Sequence, residues 1–156
     1  MAKEKILLVL DNIRSRENVG SIFRTADAVG VEKIYLCGIT PTPPHEKISK
    51  TALGAESYVP WEYYKQAWRL LKNLKAQNKN LKVIALEQTK ESVNLFNFKP
   101  KFPLILVLGN EVKGLSPKIL KYCDNVLYIP MYGRKESLNV AVATGIALYK
   151  IKEQLL

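Results

Sequence analysis

Between Asn12 and Ala28 the chain reads NIRSRENVGSIFRTADA, which sets Arg14, Asn18 and Arg24 around a Gly-containing turn. The stretch follows the apolar run Ile6–Leu10. A strand that empties into a polar, glycine-bearing helix start is where open α/β proteins keep their chemistry. Arginine there suits an anionic partner, because its planar fork of donors matches phosphate. A second group of chemistry-bearing residues lies late in the chain. Gly109, Gly114 and Gly133 each follow a strand-like run near the C-terminus. Two loops leaving neighbouring strands on one edge can close a pocket, and their glycines let backbone amides approach a small ligand.

The commonest phosphate cradles are missing. A dinucleotide site would show GxGxxG after the first strand, and here that strand runs into DNIRSRENVGS with Gly20 alone. A P-loop needs Lys-Ser/Thr after its second glycine, whereas Gly109–Gly114 continues as Leu115-Ser116. His45 is the only histidine. That excludes a multi-histidine metal site, so no metal is expected, and it does not favour a Ser-His-Asp triad. Cys37 and Cys123 form no CxxC pair and flank apolar runs, as reduced core residues of a cytosolic protein do.

These residues need a scaffold, and 156 residues with 47% hydrophobic content suffice for one domain with a proper core. Five nearly continuous apolar runs read as strands buried on both faces: Lys5–Leu10, Lys33–Ile39, Lys82–Glu87, Leu104–Gly109 and Val126–Met131. Helical patterns fall between them, over Asn18–Val29, Trp61–Lys75 and Pro117–Tyr122, the last opened by Ser116 and Pro117. In the second, the aromatic spacing reads as core packing. Strands alternating with helices predict a parallel sheet with helices on both faces. The last helix, from about Leu138 to Gln154, opens with VAVATGIALY, apolar on nearly every side. Such a helix is buried twice, and Gly145 within it suggests close approach by another backbone; a homodimer face is the expectation. The formal net charge of +10 points to a polyanion, nucleic acid before an acidic membrane surface. No apolar run approaches the roughly 20 residues of a membrane span. The Ile6–Leu10 run is too short for a signal peptide.

Three blocks together resemble the motifs of the SpoU (TrmH-like) family of the SPOUT superfamily of RNA ribose 2′-O-methyltransferases. They are Asn18-Val-Gly-Ser-Ile-Phe-Arg24-Thr-Ala-Asp, Leu106-Val-Leu-Gly109-Asn-Glu111-Val-Lys-Gly114-Leu-Ser, and Ile129-Pro-Met131 followed by Ser137-Leu-Asn139-Val-Ala-Val-Ala. Order and spacing match from Asn12 to Tyr149. The resemblance implies a parallel α/β fold with a deep trefoil knot near the C-terminus, which general chain-threading rules would disfavour. It implies one methyltransferase domain over residues 1–156, without an N-terminal RNA-binding extension.

It also implies that S-adenosylmethionine binds in the knot loops and leaves as S-adenosylhomocysteine. By position, Leu86, Gly109, Asn110, Glu111, Gly114, Ile129, Met131, Ser137 and Leu138 would hold it. Arg24, Asn18, Glu111, Ser137 and Asn139 match the family's active-site positions. Arg24 corresponds to the arginine held to activate the ribose hydroxyl. A guanidinium with a pKa above about 12 makes a poor base, so electrostatic stabilisation of the developing alkoxide is favoured over proton abstraction. Asn18 either caps its helix or fixes Arg24 or the ribose. Glu111 either orients Arg24 or Asn18 or satisfies loop amides. Ser137 either caps the last helix or faces the reaction. Arg14, Arg16, Arg24, Arg134 and Lys135 are the candidate RNA contacts.

Family members are generally dimers. The expected partners are therefore tRNA or rRNA and a second copy of the chain, in the cytoplasm, with target recognition by the dimer or by a helper protein. Two competitors share the fold: an RNA-binding protein that has lost the activity, and a base methyltransferase. The intact active-site set argues against the first. Arg24 with Ser137-Leu138-Asn139 argues against the second.

Overall fold

The computed structural model describes residues 4–156. In chain order the strands and α-helices are β1 (Ile6–Asp11), α1 (Arg16–Val29), β2 (Lys33–Cys37), α2 (Glu46–Ala52), β3 (Trp61–Tyr64), α3 (Ala67–Gln77), β4 (Lys82–Leu86), β5 (Val93–Asn94), β6 (Leu104–Leu108), α4 (Pro117–Leu120), β7 (Asn125–Tyr128) and α5 (Val140–Lys152). The strands form one sheet in the order β3-β2-β1-β6-β4-β7-β5. Every pair in it is parallel.

Strand periodicity explains the continuous apolar runs. Ile6, Leu8 and Leu10 face a core closed by α1, α2 and α5. Leu7 and Val9 point through the sheet to a second core closed by α3 and α4. A strand with helices on both sides has no polar face. All five expected strands are present, with ends shifted by up to three residues, the last stopping at Tyr128 rather than Met131.

Two expectations about helices need correction. Trp61–Lys75 is not one helix: Trp61–Tyr64 pairs with β2 as an edge strand, and α3 starts at Ala67. The aromatic and β-favouring WEYY segment gains more from pairing than from a helical turn. Trp68 still packs against the second core, as expected of a packing residue. Gly20 does not form a turn either. It lies inside α1, where a Cβ would overlap Thr51 Oγ1 and the carbonyl of Ile48 in α2. Glycine there allows the two helices to cross closely. Helix α2, which follows Pro41, Pro43 and Pro44, was not among the expected helices. Gly145 on α5 meets only Thr25 Cγ2, at 3.7 Å, so no backbone crowds it within the monomer.

Asp11 ends β1 and is only 7% exposed. Burial pushes its carboxyl up from 3.8 to about 6. The folded value exceeds the unfolded one, so ionising Asp11 costs stability. That cost is absent below the unfolded value, grows through the window from 3.8 to about 6, and is constant above it. Asp11→Asn should therefore stabilise the fold at pH 8 by on the order of 2 kcal/mol, and far less at pH 4. Urea melts at the two pH values check this; equal gains at both would show that Asp11 ionisation carries no penalty.

Candidate active site

The C-terminal ends of β6, β4 and β7 open onto one cleft of about 800 Å³, a size typical of small-molecule sites. Its walls come from stretches far apart in sequence: the start of α1, the segment after β4, the Gly109–Gly114 loop, and the run from Tyr128 into α5.

The Gly109–Gly114 loop is a closed turn. Asn110 Oδ1 accepts the backbone N–H groups of Val112 and Lys113, each at 2.9 Å, and the Gly114 N–H donates to the Asn110 carbonyl at 2.9 Å. Asn110 Nδ2 donates to the carbonyl of Asn12 at 2.8 Å, tying the loop to the end of β1. Gly114 has φ of +66° and lies against Glu87, whose carboxylate a Cβ would overlap. Glu87 Oε2 accepts the Leu115 N–H at 2.8 Å, which fixes the far side of the loop.

Glu111 connects this loop to α1. Its carboxylate accepts the backbone N–H groups of Arg14 at 2.9 Å and Ser15 at 3.0 Å, and Asn18 Nδ2 at 3.4 Å. Partial burial pushes the Glu111 carboxyl up, but the N–H donors outweigh that and hold it below the ordinary carboxylate value. Asn18 Oδ1 in turn accepts Asn139 Nδ2 at 3.1 Å. Asn139 Oδ1 accepts the N–H groups of Ala141 and Val142, so Asn139 is the N-cap of α5. One polar chain, Glu111–Asn18–Asn139, thus joins all three motif blocks across the mouth of the cleft.

This settles several of the sequence alternatives. Ser15, not Asn18, caps α1, and Ser15 Oγ accepts the Asn18 N–H at 3.1 Å. Ser137 does not cap α5; it is exposed on the cleft wall. Glu111 holds Asn18 and the loop amides, while Arg24 has no hydrogen bond or ion pair among the described residues. All nine residues expected to hold a cofactor line the cleft: Leu86, Gly109, Asn110, Glu111, Gly114, Ile129, Met131, Ser137 and Leu138. Asn18, Asn139 and Arg14 join them. Arg24 does not; it is exposed on α1, outside the cleft lining. Arg16, Arg134 and Lys135 are exposed around it. Sequence reading missed Glu87 and Tyr128. Each follows or ends a strand on the cleft side, and that position was the available signal.

The lining suits a ligand with an apolar body and an edge that the backbone can read. Leu86, Leu108, Ile129, Met131, Leu138 and Val140 provide the apolar surface, and the glycine loop provides close backbone. No group of three or more His, Cys, Asp or Glu among the described residues is placed to hold a metal. No helix among them is long and apolar enough to cross a membrane.

Residues 5–149 match the model of the SpoU rRNA Methylase family. The chain is 38% identical over 154 residues to a tRNA (guanosine(18)-2′-O)-methyltransferase of Aquifex aeolicus, covering 97% of this chain and 71% of that one. An AdoMet-bound rRNA methyltransferase from Sinorhizobium meliloti superposes with a TM-score of 0.89 at 30% identity, covering 99% of this chain and 58% of that one. A structure described as giving insight into the 2-OH methylation of C/U34 on tRNA superposes with a TM-score of 0.83 at 27% identity, covering 97% of both chains. The chain spans about three-fifths of other curated relatives, 59% and 61% of the 23S rRNA (guanosine-2′-O-)-methyltransferases of Pseudomonas aeruginosa and Haemophilus influenzae.

Proposed function

The chain belongs to the SpoU rRNA Methylase family, and from that premise we infer that it transfers a methyl group from S-adenosylmethionine to a ribose 2′-hydroxyl of tRNA or rRNA. The observation that carries this reading is the Glu111–Asn18–Asn139 chain, which closes the mouth of a cleft lined by every residue expected to hold the cofactor. Bound S-adenosylmethionine supplies an electrophilic methyl group on a sulfonium.

The protein's own contribution is placement. The glycine loop and the apolar wall hold and shield the cofactor. Asn18, fixed from both sides, and Ser137 on the wall present polar groups to a ribose at the mouth. The cofactor held by these residues would supply its methyl group to the hydroxyl oxygen and keep the bonding pair on sulfur, and the hydroxyl proton would leave to solvent at the open mouth. A cation near the oxygen stabilises the developing alkoxide, and Arg24 is the residue for that role.

Arg24 lies outside its own cleft, so the reading includes a homodimer. Leu138, Val142 and Tyr149 leave an exposed apolar stripe along α5 and the turn before it. Pairing two such faces brings Arg24 of one copy towards the cleft of the other. The reading also includes the C-terminal knot: α5 packs on α1 and against the connection from β4 to β6, as a threaded chain would. The relatives' names divide between tRNA, for the Aquifex protein and the tRNA-related structure, and 23S rRNA, for the Pseudomonas and Haemophilus proteins, so the reading keeps both RNAs.

Incubation with methyl-labelled S-adenosylmethionine and separate tRNA and rRNA fractions tests the reading. Label is expected in RNA, in nucleotides that resist alkaline cleavage because the 2′-oxygen is blocked. Cofactor binding without transfer to either fraction would sink it.

A further inference from the structure

The excess positive charge is not spread over the molecule. No Asp or Glu occurs in residues 63–86 or 112–123, and these two stretches carry nine of the 24 Lys and Arg residues. The other 15 cations are nearly matched by all 14 acidic residues. The two stretches build α3 and α4, which pack together over the second core. Five of the nine, Arg69, Lys72, Lys75, Lys118 and Lys121, lie on these two helices or at the end of α4, on the side of the sheet opposite α1 and α5.

The cations there are held rather than loose. Lys118 Nζ stands 3.8 Å from the centre of the Trp68 ring, and the Arg69 guanidinium carbon stands 5.2 Å from the same ring. Trp68 stacks on Tyr122 at 6.5 Å, and Lys121 lies 6.0 Å from the Tyr122 ring. Asp124, the acid beside this layer, is already bound by Lys75 at 3.0 Å and by the Val83 N–H at 2.8 Å. Arg69, Lys72, Lys118 and Lys121 are exposed and have no acidic partner among the described residues. Like charges concentrated in this way repel and cost stability unless a polyanion meets them.

We propose that the α3–α4 face is an RNA-backbone contact surface, separate from the residues around the cleft, that holds the substrate RNA beyond its target nucleotide. The proposal rests on the RNA methyltransferase reading above. Continuity supports it. Val112 and Gly114 line the cleft, Lys113 lies between them, and α4 begins at Pro117, so the basic surface starts at the cleft rim. A dimer closed through α5 leaves this face outward on each copy. An acidic membrane fits less well, because α3 and α4 expose no large apolar side chain to insert. Arginine and lysine placed without base-reading amides contact phosphate rather than sequence. The surface therefore adds affinity for RNA without choosing the nucleotide.

The test replaces Arg69, Lys72, Lys118 and Lys121 together with glutamine. A control replaces Lys47, Lys50, Lys99 and Lys101, exposed lysines outside the two stretches. Binding of unfractionated tRNA is titrated across salt concentrations, with S-adenosylmethionine affinity measured in parallel. Each lost phosphate contact lowers the slope of log affinity against log salt by about 0.7–0.9. The face variant should bind tRNA at least about 30-fold more weakly at 0.1 M salt, with a slope smaller by about 3. Its KM for RNA should rise while kcat and cofactor affinity hold. The control should lose less than about threefold. Equal losses in face variant and control would overturn the proposal. So would loss of binding to phosphatidylserine vesicles with tRNA binding intact. If the wild type binds tRNA through this face but transfers no methyl group, the surface stands and the catalytic reading falls.

Discussion

Arg24→Ala should lower kcat for methyl transfer about 100- to 1,000-fold and leave S-adenosylmethionine affinity within about twofold of wild type. The size is that of removing one preorganised donor from a developing oxyanion. The split follows from placement, because Arg24 touches neither the cleft lining nor the polar chain at its mouth. Along α1 it lies about 9 Å from Asn18 and about 120° around the helix axis, six residues at 1.5 Å and 100° each. In its own subunit it therefore faces away from the ribose position that Asn18 borders. Lysine at position 24 keeps the charge and loses the planar fork, so Arg24→Lys should recover only part of the rate. Near-normal activity of that variant would remove fork geometry from the mechanism. A mixed dimer locates the residue. One subunit carries Arg24→Ala with an intact cleft, and the other carries Arg24 with a disabled cleft. If Arg24 serves the partner's cleft, the mixture is active where each parent is dead; if it serves its own, the mixture is dead too.

Gly114→Ala is the second large effect, and it falls on cofactor binding. Position 114 has φ of +66°, and a methyl group there overlaps the Glu87 carboxylate. Left-handed backbone costs a non-glycine residue about 1–2 kcal/mol. Displacing Glu87 also breaks its bond to the Leu115 N–H and leaves that donor unpaired, at a further cost of about 1–3 kcal/mol. The loop that floors the cleft must then shift, and S-adenosylmethionine affinity should fall at least about tenfold. Gly133→Ala is the contrast, since a Cβ at 133 meets nothing within 4 Å. Calorimetric titration of both variants checks the pair. Wild-type affinity in Gly114→Ala would mean that the loop does not bear on the cofactor.

The cofactor side of the site was legible in the sequence because loops that follow buried strands at one sheet edge must meet there. That logic brought the late glycine loops together, and of them Gly109 and Gly114 line the cleft while Gly133 does not; Ile129 and Leu138 were expected there only from the resemblance to the SpoU family. It did not assign the caps. Residues 15–18 are all polar, and the choice of Ser15 over Asn18 depends on Glu111 binding the Arg14 and Ser15 amides from 96 or more positions away. The same long-range bond frees the Asn18 side chain to meet Asn139. Ser137 was open to capping α5 or to facing the reaction; Asn139 takes the cap, and Ser137 stands exposed on the cleft wall. β3 was hidden because WEYY reads as one turn of an amphipathic helix when joined to α3, and only pairing with β2 separates them. Arg24 was legible as a residue type, but the sequence did not show that it lies outside the lining of its own cleft.

The most direct measurement is the chemical identity of the methylated nucleoside. Wild-type protein and Arg24→Ala are incubated with labelled S-adenosylmethionine and tRNA or rRNA lacking the modification. The RNA is digested to nucleosides and separated by mass. A 2′-O-methyl nucleoside made by the wild type and absent with Arg24→Ala is the predicted result. A base-methylated nucleoside, or a ribose product formed equally well without Arg24, would contradict it.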